Sequence, residues 1–205
     1  MPTRLTTRIL ILLLLGHVLT DPAWAQDGRA SFSADSVKAA FLMRFGEYVV
    51  WPSQPANRSN FVIAVLGAPS VAEALRRIPK DRLIDGRMPE VREVSTWKSL
   101  GDEDILFIGS GANLAVAHSV ASGKARLIVT DAQGGLEHGG MINFVLVDQR
   151  VRFEVSLPAV EVAGLSLSSR VLGVAYRVIK ARAGAVPAGD EVGAADSARR
   201  APAER

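Results

Sequence analysis

The pattern of this chain predicts an α/β fold: a single domain with a mixed sheet, its parallel βα units first and an antiparallel hairpin at the C-terminal end, with helices on both faces. Three observations carry that expectation. Phe61 to Leu66 is an unbroken apolar run followed by a helical pattern, and Asp104 to Ile108 repeats the arrangement further on; such runs alternating with helices are typical of parallel strands buried on both faces. Arg126 to Thr130 adds another short run, with no cysteine or internal repeat to suggest a different architecture. Met141 to Val147 and Arg150 to Leu157 alternate apolar with polar residues instead, the signature of two strands folded back on each other.

The first 25 residues read as a secretory signal. Arg4 and Arg8 precede an apolar core from Ile9 to Leu15 that continues weakly to Leu19, and Ala23-Trp24-Ala25 supplies the small-residue cleavage site. Gly16, His17 and Asp21-Pro22 interrupt the run well short of the roughly 20 apolar residues that a membrane span needs. The expectation is therefore cleavage of residues 1–25, leaving Gln26 first, and export to a bacterial periplasm. Removing the signal takes away two arginines and one aspartate, so the formal charge of +3 falls by one. Lys and Arg are scattered and the aromatics are core-spaced, so nothing resembles the basic groove and stacking platform of a nucleic-acid binder.

An α/β domain is expected over 33–181. Its first helix is predicted to start with Asp35 or Ser36 as N-cap, to bury a stripe of Val37, Phe41, Phe45 and Tyr48 with Lys38, Arg44 and Glu47 turned away, and to end at Pro52. Phe61 to Leu66 is a strand closed by Gly67, followed by a helix from about Ser70 to Ile78. A strand through Met88 to Val94 follows the Asp85-Gly86 turn; Asp104 to Ile108 is another, then a helix from Asn113 to Ala121, then a strand from Arg126 to Thr130.

Folding the hairpin about Asp148-Gln149 sets Ile142 opposite Val155, Phe144 opposite Phe153 and Leu146 opposite Val151, with Asn143 facing Glu154 and Val145 facing Arg152. All the large apolar residues then share one side, and a one-residue slip would turn them all to solvent. Asp-Gln suits a tight two-residue turn poorly, so a four-residue loop is expected. Pro158 starts a short turn of helix, and a last helix opened by Ser168 or Ser169 would carry Val171, Leu172, Ala175, Val178 and Ile179 on one face. Residues 182–205 shift to Ala, Gly, Pro and mixed charge without periodicity and read as a disordered tail.

Catalytic readings do not survive inspection. Gly109-Ser110-Gly111 opens a helix after a strand and Asp131 follows about 20 residues later, the layout of a dinucleotide fingerprint, but Leu114 replaces the third glycine and the motif is not on the first strand. Ser110, Asp131 and His138 stand in the order of a hydrolase triad, yet Ile108 and Ala112 occupy the two positions where a nucleophile elbow needs glycine. His118 and His138 have no partner at metal-ligand spacing. No catalytic, metal or cofactor role is assigned. Asn143, Arg152 and Glu154, with Arg150 beside them, form a polar strip on an otherwise apolar hairpin and are the candidate partner-binding residues.

Two segments carry a family resemblance. In VKAAFLMRFGEYVVWP, residues 37–52, the matching positions are Lys38, Ala39, Ala40, Phe41, Leu42, Phe45, Trp51 and Pro52. Gly67, Gly86 and the strand ILFI follow, and then Gly139, Gly140, Ile142, Phe153, Glu154, Leu157, Ala163, Gly164, Leu165, Ser168, Ser169 and Leu172. In order and spacing these resemble the YfiR family of periplasmic regulators, over roughly Ser33 to Lys180. Ser156 stands where the family usually has Asn, and the absence of cysteine excludes any disulfide switch. The resemblance implies a regulator that binds the periplasmic segment of an inner-membrane signalling protein, a diguanylate cyclase by the family's pattern, with a homodimer left open. The alternative is a periplasmic carrier or sensor of small ligands, with its pocket at the carboxyl ends of the parallel strands.

Overall fold

The computed structural model describes residues 33–52, 58–79, 81–114 and 125–181. The expected signal and tail lie outside the described residues, as does the helix Asn113 to Ala121 beyond its first two residues.

Helix α1 spans Ala34–Tyr48. Its N-cap is Ser33, whose Oγ accepts from the Ser36 amide at 3.2 Å, so the cap lies ahead of the Asp35 or Ser36 expected. The buried face is Ala39, Leu42, Phe45 and Gly46, rotated from the anticipated stripe so that Val37, Phe41 and Tyr48 are only half-buried. Lys38 is not turned away but reaches Asp131 at 2.6 Å. The helix also stops at Tyr48, before Pro52, because Val49–Val50 (β1) leave it to pair antiparallel with Ser166–Leu167 (β8). Trp51 then turns inward, donating its Nε1 to the Gly46 carbonyl at 3.0 Å and meeting Phe61 edge-on at 5.2 Å.

The main sheet has the order β3-β2-β4-β5-β6-β7-β9. Its strands are β2 (Asn60–Leu66), β3 (Met88–Val94), β4 (Ile105–Ile108), β5 (Leu127–Thr130), β6 (Ile142–Val147), β7 (Arg150–Ser156) and β9 (Arg177–Ile179). The pairings from β3 through to β6 are parallel, β6 with β7 is antiparallel, and β7 with β9 is parallel. The apolar runs of β2, β4 and β5 are buried, as expected of strands covered on both faces. Helix α2 (Pro69–Arg77), with Pro at its first position, follows β2 and packs against α1.

The hairpin has the expected register throughout, from Ile142 opposite Val155 to Leu146 opposite Val151. Its turn does not. Val147 pairs directly with Arg150, and Asp148 (φ 49°) and Gln149 (φ 59°) both adopt the left-handed conformation of a two-residue type I′ turn rather than opening into a longer loop. That turn matches the twist of the strands, and the buried apolar pairs hold the chain in it despite the steric cost of a left-handed non-glycine residue. Phe41 and Phe45 of α1 cover the buried face: Phe153 lies 5.3 and 5.1 Å from them, and Phe144 6.0 and 5.9 Å.

The C-terminal helix is shorter than expected. After α3 (Leu157–Val162), α4 runs only from Ser169 to Val174 with Ser168 as its N-cap residue, and Val178 and Ile179 belong to β9 instead. Val178 fits either period. The free edge of β7 decides in favour of a strand, since pairing Glu154 to Ser156 with Arg177 to Ile179 satisfies backbone groups that a helix would leave open.

Candidate functional site

In an open α/β sheet the crevice for a ligand lies outside the carboxyl ends of the strands where the strand order reverses, here between β2 and β4. That crevice is filled by the protein's own backbone. A Cβ on Gly109 would stand 2.6 Å from the Gly67 carbonyl oxygen and one on Gly111 2.9 Å from it, while a Cβ on Gly67 would meet the Ala112 nitrogen at 2.9 Å. The glycines that suggested a phosphate loop are required for two loops to interlock. Ser110 donates its amide to Asp131 Oδ1 at 2.6 Å, and Lys38 Nζ takes Asp131 Oδ2 at 2.6 Å. Both carboxylate oxygens are engaged in tying α1, the loop after β4 and the end of β5 together, so Asp131 holds neither a ribose nor a catalytic histidine. His138 closes its own turn through Nδ1 to the Gly134 carbonyl at 2.8 Å; His118 lies outside the described residues.

The sheet continues past this edge as a ribbon. β5 ends at Thr130 opposite Asn143, whereas β6 runs on to Val147, and β9 meets β7 only from Glu154 onwards. The three candidate residues share one strand-pair face but have three different environments. Asn143 is 4% exposed. With its amide nitrogen toward Thr130 Oγ1 and the Ala132 carbonyl, at 2.7 and 3.1 Å, it fastens the turn of residues 131–140. Gly135 lies over it so closely that a Cβ there would overlap Thr130 Oγ1 and stand 2.9 Å from Asn143 Cγ, and a Cβ on Gly140 would meet the Gly135 carbonyl oxygen at 2.7 Å.

Glu154 is half-buried and grips Arg177 through two parallel contacts of 2.9 and 3.0 Å. That hydrogen-bonded carboxylate raises the Arg177 pKa above its ordinary value. The pair lines a cleft of about 490 Å³ shared with Lys38, Asp131 and Asn143. Arg152 faces a second groove, of about 800 Å³, formed with Arg150, Val147, Asp148 and the segment 173–176. Arg150 and Arg152 are exposed, and their side chains make no hydrogen bond or ion pair among the described residues.

Sequence reasoning missed the Tyr176 wall of this groove and the Arg177 of the neighbouring cleft, because the helix read from Ser168 or Ser169 was carried on to Ile179 where the structure ends it at Val174. The signal was the alternation of Tyr176-Arg177-Val178. It also missed an ion network at the amino edge of the sheet. Glu103 and Asp104 are buried; Arg126 bonds Glu103 at 2.7 Å, while Arg87 and Arg58 reach Asp104 at 3.0 and 3.2 Å. Burial lowers the Arg126 pKa despite the opposing attraction of Glu103. The available signal was the placing of charges directly before the short apolar runs Ile105–Ile108 and Leu127–Val129. Asp104 also accepts the Val62 amide at 2.8 Å, so the network closes the amino end of β2.

A family model described as YfiR/HmsC-like matches residues 35–176, from the first turn of α1 to the residue before β9. No curated protein matches the chain.

Proposed function

The chain belongs to the YfiR/HmsC-like family, and on that premise we propose that it works in the periplasm, binding an inner-membrane signalling protein and holding its output down. The observation that carries this reading is the extent of the match, which takes in the whole hairpin and its supporting helices. The target is a diguanylate cyclase, with cyclic di-GMP in the cytoplasm as the regulated messenger. The protein inhibits by preferring the inactive state of its target, and a preference of about 1 to 3 kcal/mol changes output roughly 5 to 150-fold.

The structure of the carboxyl edge supports a binding role over the carrier alternative. The switch-point crevice is closed by Gly67, Gly109 and Gly111, and in the neighbouring cleft Lys38 is paired with Asp131 and Arg177 with Glu154. Partner contact is assigned to the hairpin face, with Arg152 exposed, Glu154 half-buried in its pair with Arg177, and Asn143 positioning the turn behind them.

Deleting the gene should raise cyclic di-GMP and surface attachment, and supplying it again should lower both. The double variant Arg152→Ala with Glu154→Ala should be exported and folded yet fail to restore repression. An unchanged messenger level in the deletion strain removes the cyclase from the proposal, and full repression by the double variant moves the contact surface elsewhere.

A further inference from the structure

We infer that the groove beside the outer half of β7 receives an extended, acidic and apolar peptide segment of the partner. The inference supplies recognition chemistry for the regulator reading above and rests on it for the partner's existence, but the peptide-binding claim can fail separately. Three observations converge on this groove.

The first is charge. Arg150 and Arg152 stand two residues apart on one face of β7, so their side chains project to the same side. Neither has an anionic partner among the described residues, in contrast to Arg177 next to them, which Glu154 holds in a two-point grip. The acidic residue lining the groove is Asp148, at the hairpin tip. Two unpaired guanidinium groups spaced by one strand repeat fit two carboxylates spaced the same way, as in a segment of alternating acidic and apolar residues.

The second is the open edge. β9 pairs with β7 from Glu154 to Ser156, and among the described residues the bond from the Tyr176 amide to the Phe153 carbonyl, at 2.8 Å, is the last main-chain contact toward the hairpin tip on that side. Since the direction of backbone groups repeats every second residue, Val151 presents its N–H and C=O to the same side as Phe153, beyond the reach of β9. An incoming extended segment in line with β9 would satisfy them by strand addition.

The third is the apolar wall. Val174 and Tyr176 are 60% and 58% exposed and flank the groove with half-buried Val147. Exposed large apolar residues grouped around a concavity mark contact surfaces, and tyrosine beside arginine is the composition enriched there. Concavity also argues against a lipid surface, because a planar bilayer cannot follow a groove of about 800 Å³ whose apolar residues form its walls.

The test titrates the purified protein against two short labelled peptides, one of alternating glutamate and leucine and one of alternating lysine and leucine. Fluorescence anisotropy is followed at low and at physiological ionic strength. The glutamate peptide should bind the unaltered protein, weaken as salt rises, and lose roughly tenfold in affinity with Tyr176→Ala. Arg150→Glu with Arg152→Glu should invert the preference, so that the lysine peptide now binds and the glutamate peptide does not. That inversion distinguishes lost recognition from lost folding. No binding of the glutamate peptide, equal binding of both peptides, or no response to the double variant overturns the proposal. Flotation of the protein with phosphatidylglycerol vesicles, abolished by the same variant, would replace it with a membrane contact if peptide binding is absent. A rise of cyclic di-GMP in the deletion strain without peptide binding would leave the regulator standing and remove the groove; the converse result would leave the groove and remove the cyclase.

Discussion

Arginine serves opposite ends at the two ends of this sheet. At the amino edge, Arg126 is 2% exposed and bonds Glu103 at 2.7 Å, inside a network in which each carboxylate meets an arginine. At the hairpin, Arg150 and Arg152 are exposed and unpartnered among the described residues. The difference teaches where to look for function. A buried charge has to be satisfied within the fold, since desolvation makes an unpaired one very costly, whereas a surface arginine left unpaired keeps its interactions for another molecule. The amino edge is closed on itself, whereas the two hairpin arginines are left without an ion-pair partner among the described residues.

The comparison breaks first at Arg126. Replacing it with alanine removes the partner of Glu103 Oε2, while Oε1 keeps Arg92 at 3.3 Å and the Gly101 amide at 2.6 Å, and the expected loss is about 3 kcal/mol of unfolding free energy in a urea titration; a loss below about 1 kcal/mol would mean that water already reaches the network. A similar loss should come from the buried face of the hairpin, where Phe153→Ala opens a cavity among Phe41, Phe45 and Phe144 and should cost about 3 to 5 kcal/mol. A neutral result there would contradict the packing of α1 on the ribbon. A smaller effect of opposite sign is expected at the tip: Gln149 sits at φ 59°, and Gln149→Gly should gain about 0.5 to 1 kcal/mol by relieving a left-handed residue, less glycine's greater unfolded freedom. A raised melting temperature checks it, and a lowered one would show that the Gln149 side chain makes a stabilising contact. Smallest of all, Arg152→Ala should move stability by less than about 0.5 kcal/mol in the same titration. A loss comparable to that at Arg126 would erase the contrast between the two edges.

The parts of the fold that were legible lay within continuous segments. The strands at Met88 to Val94 and Ile105 to Ile108 show in the apolar pattern, and the hairpin register follows from alternation in a stretch that pairs with its own neighbour. The strip of Asn143, Arg152 and Glu154 was legible as a strand face but not as a site. Nothing local to Asn143 reveals that Gly135 closes over it, or that Arg177 arrives beside Glu154 from a strand read as helix. The glycines at 109 and 111 were visible as a loop signal, and their purpose was hidden because the atom that excludes a side chain there belongs to Gly67.

By itself, the sequence determined the α/β class, the hairpin and its pairing, because hydrophobic periodicity acts between residues close along the chain and a slip would expose the whole apolar set. Tertiary structure alone decided which polar groups are spent and which are free. The contacts that occupy Asp131, Asn143 and Glu154 come from Lys38, Thr130 and Arg177 on other elements, and those that fill the ligand crevice join loops after two different strands. Such pairings depend on the approach of segments far apart in sequence, which no local pattern encodes, and they leave Arg150 and Arg152 as the charges facing outward at the groove.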